Sequence, residues 1–147
     1  MVEGLVLNSA ELTIHSARID GAEATFVVDP ELERVSVSYG APLSAGTHRV
    51  ELDFDGTIND RLRGFYRSTF VDADGVERVI ATTQMQSTDC RRAFPCLDEP
   101  EFKAVFSITL VVADGLTAIS NSPEVSRRTV DDGAARVEVS FADTMVM

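Results

Sequence analysis

The chain has 147 residues, of which 44% are hydrophobic and 25% are charged, values that are ordinary for a globular protein. A chain of this length can form one domain with a sizeable core, so it needs neither disulfides nor a metal to fold. The 24 acidic and 13 basic side chains give a net charge of −11, which argues against nucleic acid or an anionic membrane surface as a partner. The apolar runs are too short for a transmembrane helix, and the N-terminus lacks the basic and apolar regions of a signal peptide.

Several segments alternate apolar and polar residues with a period of two, which is typical of strands with one buried face. In chain order, the apolar positions are Val35, Val37 and Tyr39; Val50, Leu52 and Phe54; Phe102, Ala104, Phe106, Ile108 and Leu110; and Val137, Val139 and Phe141. Alternation on one side predicts antiparallel sheets. No long stretch has the period of a helix, and no internal repeat is present.

Turn-forming residues separate these segments. The pair Asp20–Gly21 and the sequence DADG at Asp72–Gly75 are the clearest examples. The second predicts a hairpin with one strand on each side of it. We therefore predict an all-β fold, a mostly antiparallel two-sheet sandwich of about eight to ten strands.

Both ends of the chain carry strand-like sequence. The chain begins with the apolar segment LVLNS and ends with FADTMVM, without a polar cap at either end. Exposed strand edges invite pairing with another chain. These features predict that residues 1–147 are a single but incomplete domain of a longer polypeptide, and that its edges associate.

The segment Gln84–Pro100 breaks the alternation and is predicted to be an irregular loop. It lies within TTQMQSTDCRRAFPCLDEPEFK, where two prolines hinder regular strand pairing. Charge-assisted pairs can hold such a loop in place. The side chains available for these pairs are Asp89, Arg91, Arg92, Asp98 and Glu99.

Gln84 and Gln86 are the candidate ligand-binding residues of this loop. They stand two positions apart, so in an extended chain both amides would lie on the same face. Paired primary amides offer donors and acceptors side by side, which suits the polar end of a ligand. A structural loop without a ligand is the alternative that the residues alone leave open.

The common catalytic patterns are absent from these 147 residues. A zinc hydrolase commonly has HExxH and a distant acid, whereas this chain has two isolated histidines, His15 and His48. The DADG sequence lacks the spacing of a calcium loop, because Gly75 follows Asp74 directly. We therefore predict no metal site and no cofactor in this chain.

Cys90 and Cys96 are the two cysteines, separated by five residues. That spacing is neither a disulfide framework nor a CxxC motif. Two reduced, packed thiols in a cytoplasmic protein are the predicted state, and a local disulfide is the alternative. A nucleophilic cysteine would need one of the two remote histidines as its base, and nothing in the sequence singles one out.

Three stretches of the chain, GFYRSTF, ATTQMQSTDCRRAFPCLDEPEFKAVFSITL and LTAISNSPEVS, form a long and ordered motif, which DFDGTINDRLRGFYRS extends towards the N-terminus. This motif closely resembles the N-terminal domain of the aminopeptidase N family of zinc metallopeptidases (gluzincins), which includes puromycin-sensitive aminopeptidases and leukotriene A4 hydrolase. The resemblance is strongest between Asp53 and Ser126. It implies an all-β, saddle-shaped domain of mostly antiparallel sheets, in agreement with the alternation.

The resemblance also implies that the catalytic residues lie outside this chain. In the family, the zinc ligands, the catalytic glutamate and the GxMEN motif belong to a following thermolysin-like domain, and none of these motifs occurs in residues 1–147. The implied partners are that catalytic domain and the N-terminus of a peptide substrate. Zinc is implied for the catalytic domain only, so the chain by itself is expected to have no peptidase activity.

The resemblance gives the irregular loop a role. It implies that Gln84 lines the pocket near the first residue of the substrate. It places Gln86 where many members carry a glutamate that binds the free α-amine. A neutral amide accepts hydrogen bonds from an ammonium group but lacks the Coulomb attraction of a carboxylate. The expected loop framework consists of Arg91, Arg92, Asp98 and Glu99.

The predicted function is that of a non-catalytic N-terminal domain in a zinc-dependent aminopeptidase, which removes N-terminal residues from peptides. This chain would form one wall of the S1 pocket. The alternative is a stand-alone, non-catalytic interaction module with the same β fold, because a fold does not determine a function.

Overall fold

The computed structural model describes residues 2–147, with side chains from Gly4 onwards, and shows ten β-strands and no α-helix among these residues. The strands are β1 (Val2–Asn8), β2 (Leu12–Ile19), β3 (Ala22–Asp29), β4 (Arg34–Leu43), β5 (Val50–Gly56), β6 (Gly64–Val71), β7 (Glu77–Gln84), β8 (Thr109–Ala113), β9 (Glu124–Val130) and β10 (Arg136–Phe141). A short 3-10 helix, Cys90–Arg92, follows β7. The chain divides into two compact units, Met1–Pro100 and Glu101–Met147.

Five strands of the first unit form an antiparallel sheet in the order β1-β4-β3-β2-β5. The β4 strand shows why alternation predicts strands here. Val35 and Val37 are fully buried, whereas Arg34, Ser36 and Ser38 are exposed. Burying one such valine stabilises the fold by about 1.5–3 kcal/mol. The other buried residues of this core are Leu7, Ile14, Ala17 and Ile19.

A tight turn at Asp20 and Gly21 joins β2 to β3. Both residues have a positive φ, 52° and 82°, as a two-residue hairpin turn of type I′ requires. The Asp20 carboxylate also reaches the chain just before β5. Its Oδ1 accepts a hydrogen bond from the N–H of Arg49 at 2.8 Å, and its Oδ2 lies 2.7 Å from Nδ1 of His48. The turn therefore holds the start of β5 as well.

The β6 and β7 strands form a sheet of their own and pair residue for residue along their whole length, which confirms the predicted hairpin. Asp72 caps the turn between them. Its Oδ1 accepts hydrogen bonds from the N–H groups of Asp74 at 3.0 Å and Val76 at 2.9 Å. Its Oδ2 accepts a hydrogen bond from Nε of Arg78 at 2.8 Å. The Asp72 carboxylate thus accepts its hydrogen bonds from residues of the hairpin itself and stabilises the turn.

The second unit contains a three-stranded antiparallel sheet in the order β8-β10-β9. The alternation predicts a strand from Phe102, but β8 begins at Thr109. Before it, residues 104–108 pair irregularly with residues 141–147. The N–H of Phe106 donates to the hydroxyl Oγ1 of Thr144 at 3.0 Å, where a regular ladder would use a carbonyl. The core residues of this unit are Val137, Val139 and Phe141, packed against Ile108, Leu110, Val112 and Ala118.

The predicted all-β, antiparallel class is confirmed, with ten strands at the upper end of the predicted number. The strands form three sheets of five, two and three members, whereas the sequence predicts two. Alternation identifies individual strands, but it contains no information on which strands join the same sheet. Within the described part of the chain, no helix has the length and apolarity needed to cross a membrane.

Candidate functional site

The irregular loop, Gln84–Pro100, leaves β7 and folds into turns and the short 3-10 helix. The N–H of Asp89 donates to the carbonyl of Met85 at 2.9 Å. The N–H of Ala93 donates to the carbonyl of Cys90 at 2.8 Å. These local hydrogen bonds satisfy the backbone where it has left the strand ladder, as the loss of alternation predicts.

Backbone hydrogen bonds also fix the loop to the end of β1. Asn8 and Cys96 form an antiparallel bridge, with N···O distances of 2.7 and 3.0 Å. The side-chain Oδ1 of Asn8 accepts a hydrogen bond from the N–H of Asp98 at 3.2 Å. The N–H of Ala10 donates to the carbonyl of Arg91 at 3.0 Å. The loop is therefore attached to the sheet at several points along its second half.

Arg91 is the first of two largely buried arginines in the loop. Its Nε and its backbone N–H donate to the same oxygen, Oδ2 of Asp98, at 2.8 and 3.2 Å. Its Nη1 donates to Oε2 of Glu33 at 3.2 Å. Burial alone would lower the pKa of Arg91. The hydrogen bond and charge of Asp98, together with Glu33, outweigh burial and raise this pKa.

Arg92 pairs each of its three guanidinium nitrogens with a different carboxylate. Its Nε donates to Asp89 at 3.0 Å and its Nη1 to Glu11 at 2.7 Å. Its Nη2 donates to Glu33 at 2.8 Å. Burial tends to lower the pKa of Arg92, but the hydrogen bond with Asp89 and the three carboxylate charges raise it overall. Its side chain is 12% exposed, so these charge-assisted bonds form in a poorly hydrated place.

Glu11 and Glu33 belong to this framework although the sequence does not predict them. They are 81 and 59 residues away from Arg92 in the chain. Both have a positive φ, 58° and 50°, in the connections that precede β2 and β4. No local sequence signal links these glutamates to the arginines, because strand order alone brings them together. The ion pairs thus join the loop to two connections of the five-stranded sheet.

The structure brings together most of the predicted framework charges and leaves one outside. Arg91, Arg92, Asp89 and Asp98 form ion pairs, and Asp98 is buried. Glu99 is exposed and forms no ion pair among the described residues. The difference follows from position, since Asp98 points into the cluster whereas its neighbour Glu99 remains in solvent.

Gln84 and Gln86 are both exposed, and in the described part of the chain neither side chain has a hydrogen-bond partner. Gln84 is the last residue of β7. Gln86 lies in the turn that follows, so the extended conformation that we expected through Gln86 ends at Gln84. Both amides can therefore form hydrogen bonds with a ligand or another chain. Gln84 lies at the end of a strand, however, whereas Gln86 lies in a turn.

Cys90 and Cys96 are free, partly buried thiols, as predicted. A hydrogen bond between the two thiols lowers the pKa of Cys90 and raises the pKa of Cys96. Their sulfur atoms and one carboxylate oxygen of Asp98 all lie within 4.8 Å of one another. This group could hold a metal ion, whereas the sequence predicts no metal site in this chain.

The two histidines lie elsewhere in the first unit. His15 has its Nε2 2.8 Å from Oδ2 of Asp55. His48 has its Nδ1 2.7 Å from Oδ2 of Asp20 and its Nε2 2.9 Å from the carbonyl oxygen of Ser44. Each histidine thus bonds to its own aspartate, and the chain contains no HExxH. The residues of this chain therefore do not fit a peptidase zinc site.

Comparison with known proteins places the chain in a family. Residues 2–147 match the model of the peptidase M1 N-terminal domain. The chain is 38% identical over 145 residues to aminopeptidase 2 of Candida albicans, with 97% of this chain and 15% of that protein covered. It is 41% identical over 152 residues to aminopeptidase N of Bos taurus, with coverages of 96% and 15%.

A third relative, the puromycin-sensitive aminopeptidase of Caenorhabditis elegans, is 45% identical over 108 residues, with 72% of this chain and 11% of that protein covered. The chain thus spans 11–15% of the length of these curated relatives. The match over residues 2–147 confirms the resemblance found in the motif around the irregular loop. The chain belongs to the peptidase M1 N-terminal domain family.

Proposed function

We propose that this chain is the non-catalytic N-terminal domain of a zinc-dependent aminopeptidase that removes N-terminal residues from peptides. The observation that carries the proposal is the family match over residues 2–147, together with relatives that are named as aminopeptidases. These relatives are much longer than this chain. The zinc site is assigned to a following, thermolysin-like catalytic domain, since the residues of this chain do not fit it.

Within such an enzyme, Gln84 and Gln86 form part of the wall that binds the N-terminus of the peptide. Their exposure and their lack of partners among the described residues support this role. The side-chain oxygen of either amide can accept a hydrogen bond from the α-ammonium group, and the NH2 group can donate to a carbonyl of the substrate. The partners are thus the catalytic domain and the peptide N-terminus.

The framework charges act by positioning the loop. Arg92 pairs with Asp89, three residues after Gln86, and Arg91 pairs with Asp98 near the end of the loop. Ion pairs that are satisfied within the chain keep the loop in place before a ligand arrives, which lowers the entropic cost of binding. Glu99 is exposed and forms no such pair in the described residues, so the positioning is done by Arg91, Arg92 and Asp98.

We also assign the protein to the cytoplasm. Cys90 and Cys96 lie close together as free thiols. Neighbouring thiols persist in reducing compartments, whereas oxidising compartments favour their conversion to a disulfide.

A reconstitution assay tests the proposed function. The purified 147-residue chain, the separately expressed catalytic part of the parent polypeptide, and their mixture are assayed with fluorogenic aminoacyl amides. We expect no turnover from the chain alone and a saturable, chelator-sensitive rise in turnover on mixing. Chelator-sensitive turnover by the pure chain would contradict the proposal. A mixture that neither binds nor gains activity would also contradict it and would favour a stand-alone interaction module.

A further inference from the structure

Cys90, Cys96 and Asp98 bring two sulfur atoms and one carboxylate oxygen together in the irregular loop. The three atoms lie within 4.8 Å of one another, and Asp98 is 7% exposed. Zinc binds thiolate sulfur at about 2.3 Å and carboxylate oxygen at about 2.0–2.2 Å, so ligands on one tetrahedral ion stand about 3.5–3.8 Å apart. Small side-chain rotations are therefore enough to bring all three atoms onto one ion.

The carboxylate of Asp98 retains an oxygen for such an ion. Its Oδ2 accepts both hydrogen bonds from Arg91. Its Oδ1 accepts no hydrogen bond from the described residues. This oxygen is not one of the buried side-chain atoms without a partner, so it is open to a ligand from solvent. It is therefore free to bind a cation together with the two thiols.

The backbone of the three residues is already fixed. Cys96 is held by two hydrogen bonds to Asn8, and the N–H of Asp98 donates to the side chain of the same asparagine. Cys90 opens the 3-10 helix, and its carbonyl accepts a hydrogen bond from Ala93. A cation therefore finds its ligands arranged in advance, which reduces the entropy lost on binding.

The local charges favour a divalent cation. Two thiolates and one carboxylate carry three negative charges, of which a divalent ion neutralises two. The guanidinium of Arg91, bonded to Asp98 at 2.8 Å, offsets the third.

We propose that Cys90, Cys96 and Asp98 bind one zinc ion, or another thiophilic divalent cation, with water as the fourth ligand. Thiolates favour zinc and cadmium over calcium or magnesium, which prefer oxygen ligands alone. Each cysteine releases its proton to solvent as its sulfur binds the metal, and no oxidant is involved. The site uses only residues of this chain, so it stands independently of the proposed aminopeptidase function.

Cadmium titration of the reduced, metal-free chain tests this site. Bound Cd2+ gives an ultraviolet charge-transfer band that requires a thiolate ligand. We expect the band to saturate at one ion per chain, and Cys90→Ser or Cys96→Ser to weaken binding by at least about tenfold, the range seen when even outer partners of a metal site are lost. Glu99→Gln is the matched control, because it removes a neighbouring exposed carboxylate that lies outside the group, and it should leave the affinity unchanged.

Alkylation of the unmodified chain gives a second test that needs no variant. We expect Zn2+ to slow the reaction of both Cys90 and Cys96 with iodoacetamide, and mass spectrometry to show protection at one equivalent of zinc. Alkylation that is equally fast with and without Zn2+ would overturn the proposal. So would a cadmium band that does not saturate, that both serine variants retain at full strength, or that Glu99→Gln weakens as much as they do.

Discussion

Gly64 begins β6 at a point where Arg92 of the irregular loop lies against it. Its φ is +68°, and a Cβ atom added there would stand 2.6 Å from Cβ of Arg92. We expect Gly64→Ala to destabilise the fold for two reasons. A left-handed backbone costs an alanine about 1–2 kcal/mol, and displacing Arg92 adds about 1–3 kcal/mol. Urea unfolding measures the sum.

Gly75→Ala separates these two costs. Gly75 has a similar φ of +78°, but a Cβ atom added there meets no atom within 4 Å. We expect this variant to lose only the backbone part of the stability. If both variants lose the same free energy of unfolding, the contact between Gly64 and Arg92 has no energetic importance.

The pair of His48 and Asp20 makes stability depend on pH. The hydrogen bond that the His48 ring donates to the Asp20 carboxylate raises the pKa of His48. The stability that this bond contributes is therefore fully present below the ordinary value of 6.5 and is lost as the pH rises through the raised pKa. The N–H of Arg49, followed by His48, lowers the pKa of Asp20. That contribution is present above the ordinary value of 3.8 and is lost as the pH falls through the lowered pKa. Both contributions are present between these two values.

An NMR titration of the His48 ring in the wild type and in Asp20→Asn tests this dependence. Asparagine tolerates the positive φ of position 20, so the turn should persist. We expect the titration midpoint of His48 to fall towards 6.5 in the variant, because the carboxylate partner is gone. An unchanged midpoint would show that Asp20 does not control this histidine.

At the scale of elements, Arg92 joins the irregular loop to the connections before β2 and β4. Removing it by Arg92→Ala leaves three carboxylates without their shared cation. We expect a loss of about 2–3 kcal/mol in the free energy of unfolding, since hydrogen bonds to charged groups are worth about 1.5–3 kcal/mol each and water recovers part of this at the partly exposed glutamates. Chemical unfolding monitored by circular dichroism measures the loss.

Arg78→Ala is the matched control for Arg92→Ala. Arg78 also pairs with a carboxylate, that of Asp72, but its side chain is 57% exposed and it has this one ion-pair partner among the described residues. An exposed pair contributes less than about 1 kcal/mol. If Arg92→Ala and Arg78→Ala reduce the free energy of unfolding equally, the buried ion pairs of Arg92 are not what holds the irregular loop in place.

The sequence predicts the strands well and the loop framework only in part, for a physical reason. Alternation is a local signal, so Val35 and Val37 reveal β4 without reference to other strands. The ion pairs of Arg92 with Glu11 and Glu33 arise from strand order, which local sequence does not specify. The irregular pairing before β8 is missed for a related reason, because a hydroxyl of Thr144 replaces a backbone acceptor.

At the scale of the whole molecule, the sequence predicts the family of the domain but not the number of its sheets. A fold of about eight to ten strands follows from the sequence, but the division of the ten observed strands into three sheets and two compact units does not. The family follows from the long motif around the loop, which a search of individual residues for catalytic patterns would not have found. The proximity of Cys90, Cys96 and Asp98 is visible only once the loop is folded.

The Michaelis constant of the reconstituted aminopeptidase tests most directly whether this chain contributes to the binding of a peptide N-terminus. Gln86→Glu places a carboxylate at the predicted amine-binding position, and we expect the constant to fall about 3–10-fold, which corresponds to roughly 1 kcal/mol of added Coulomb attraction. Thr88→Glu introduces the same charge at a neighbouring exposed residue and should leave the constant unchanged. If Gln86→Glu has no effect, or if both variants act alike, position 86 does not meet the substrate amine and the account of this loop as a binding wall is contradicted.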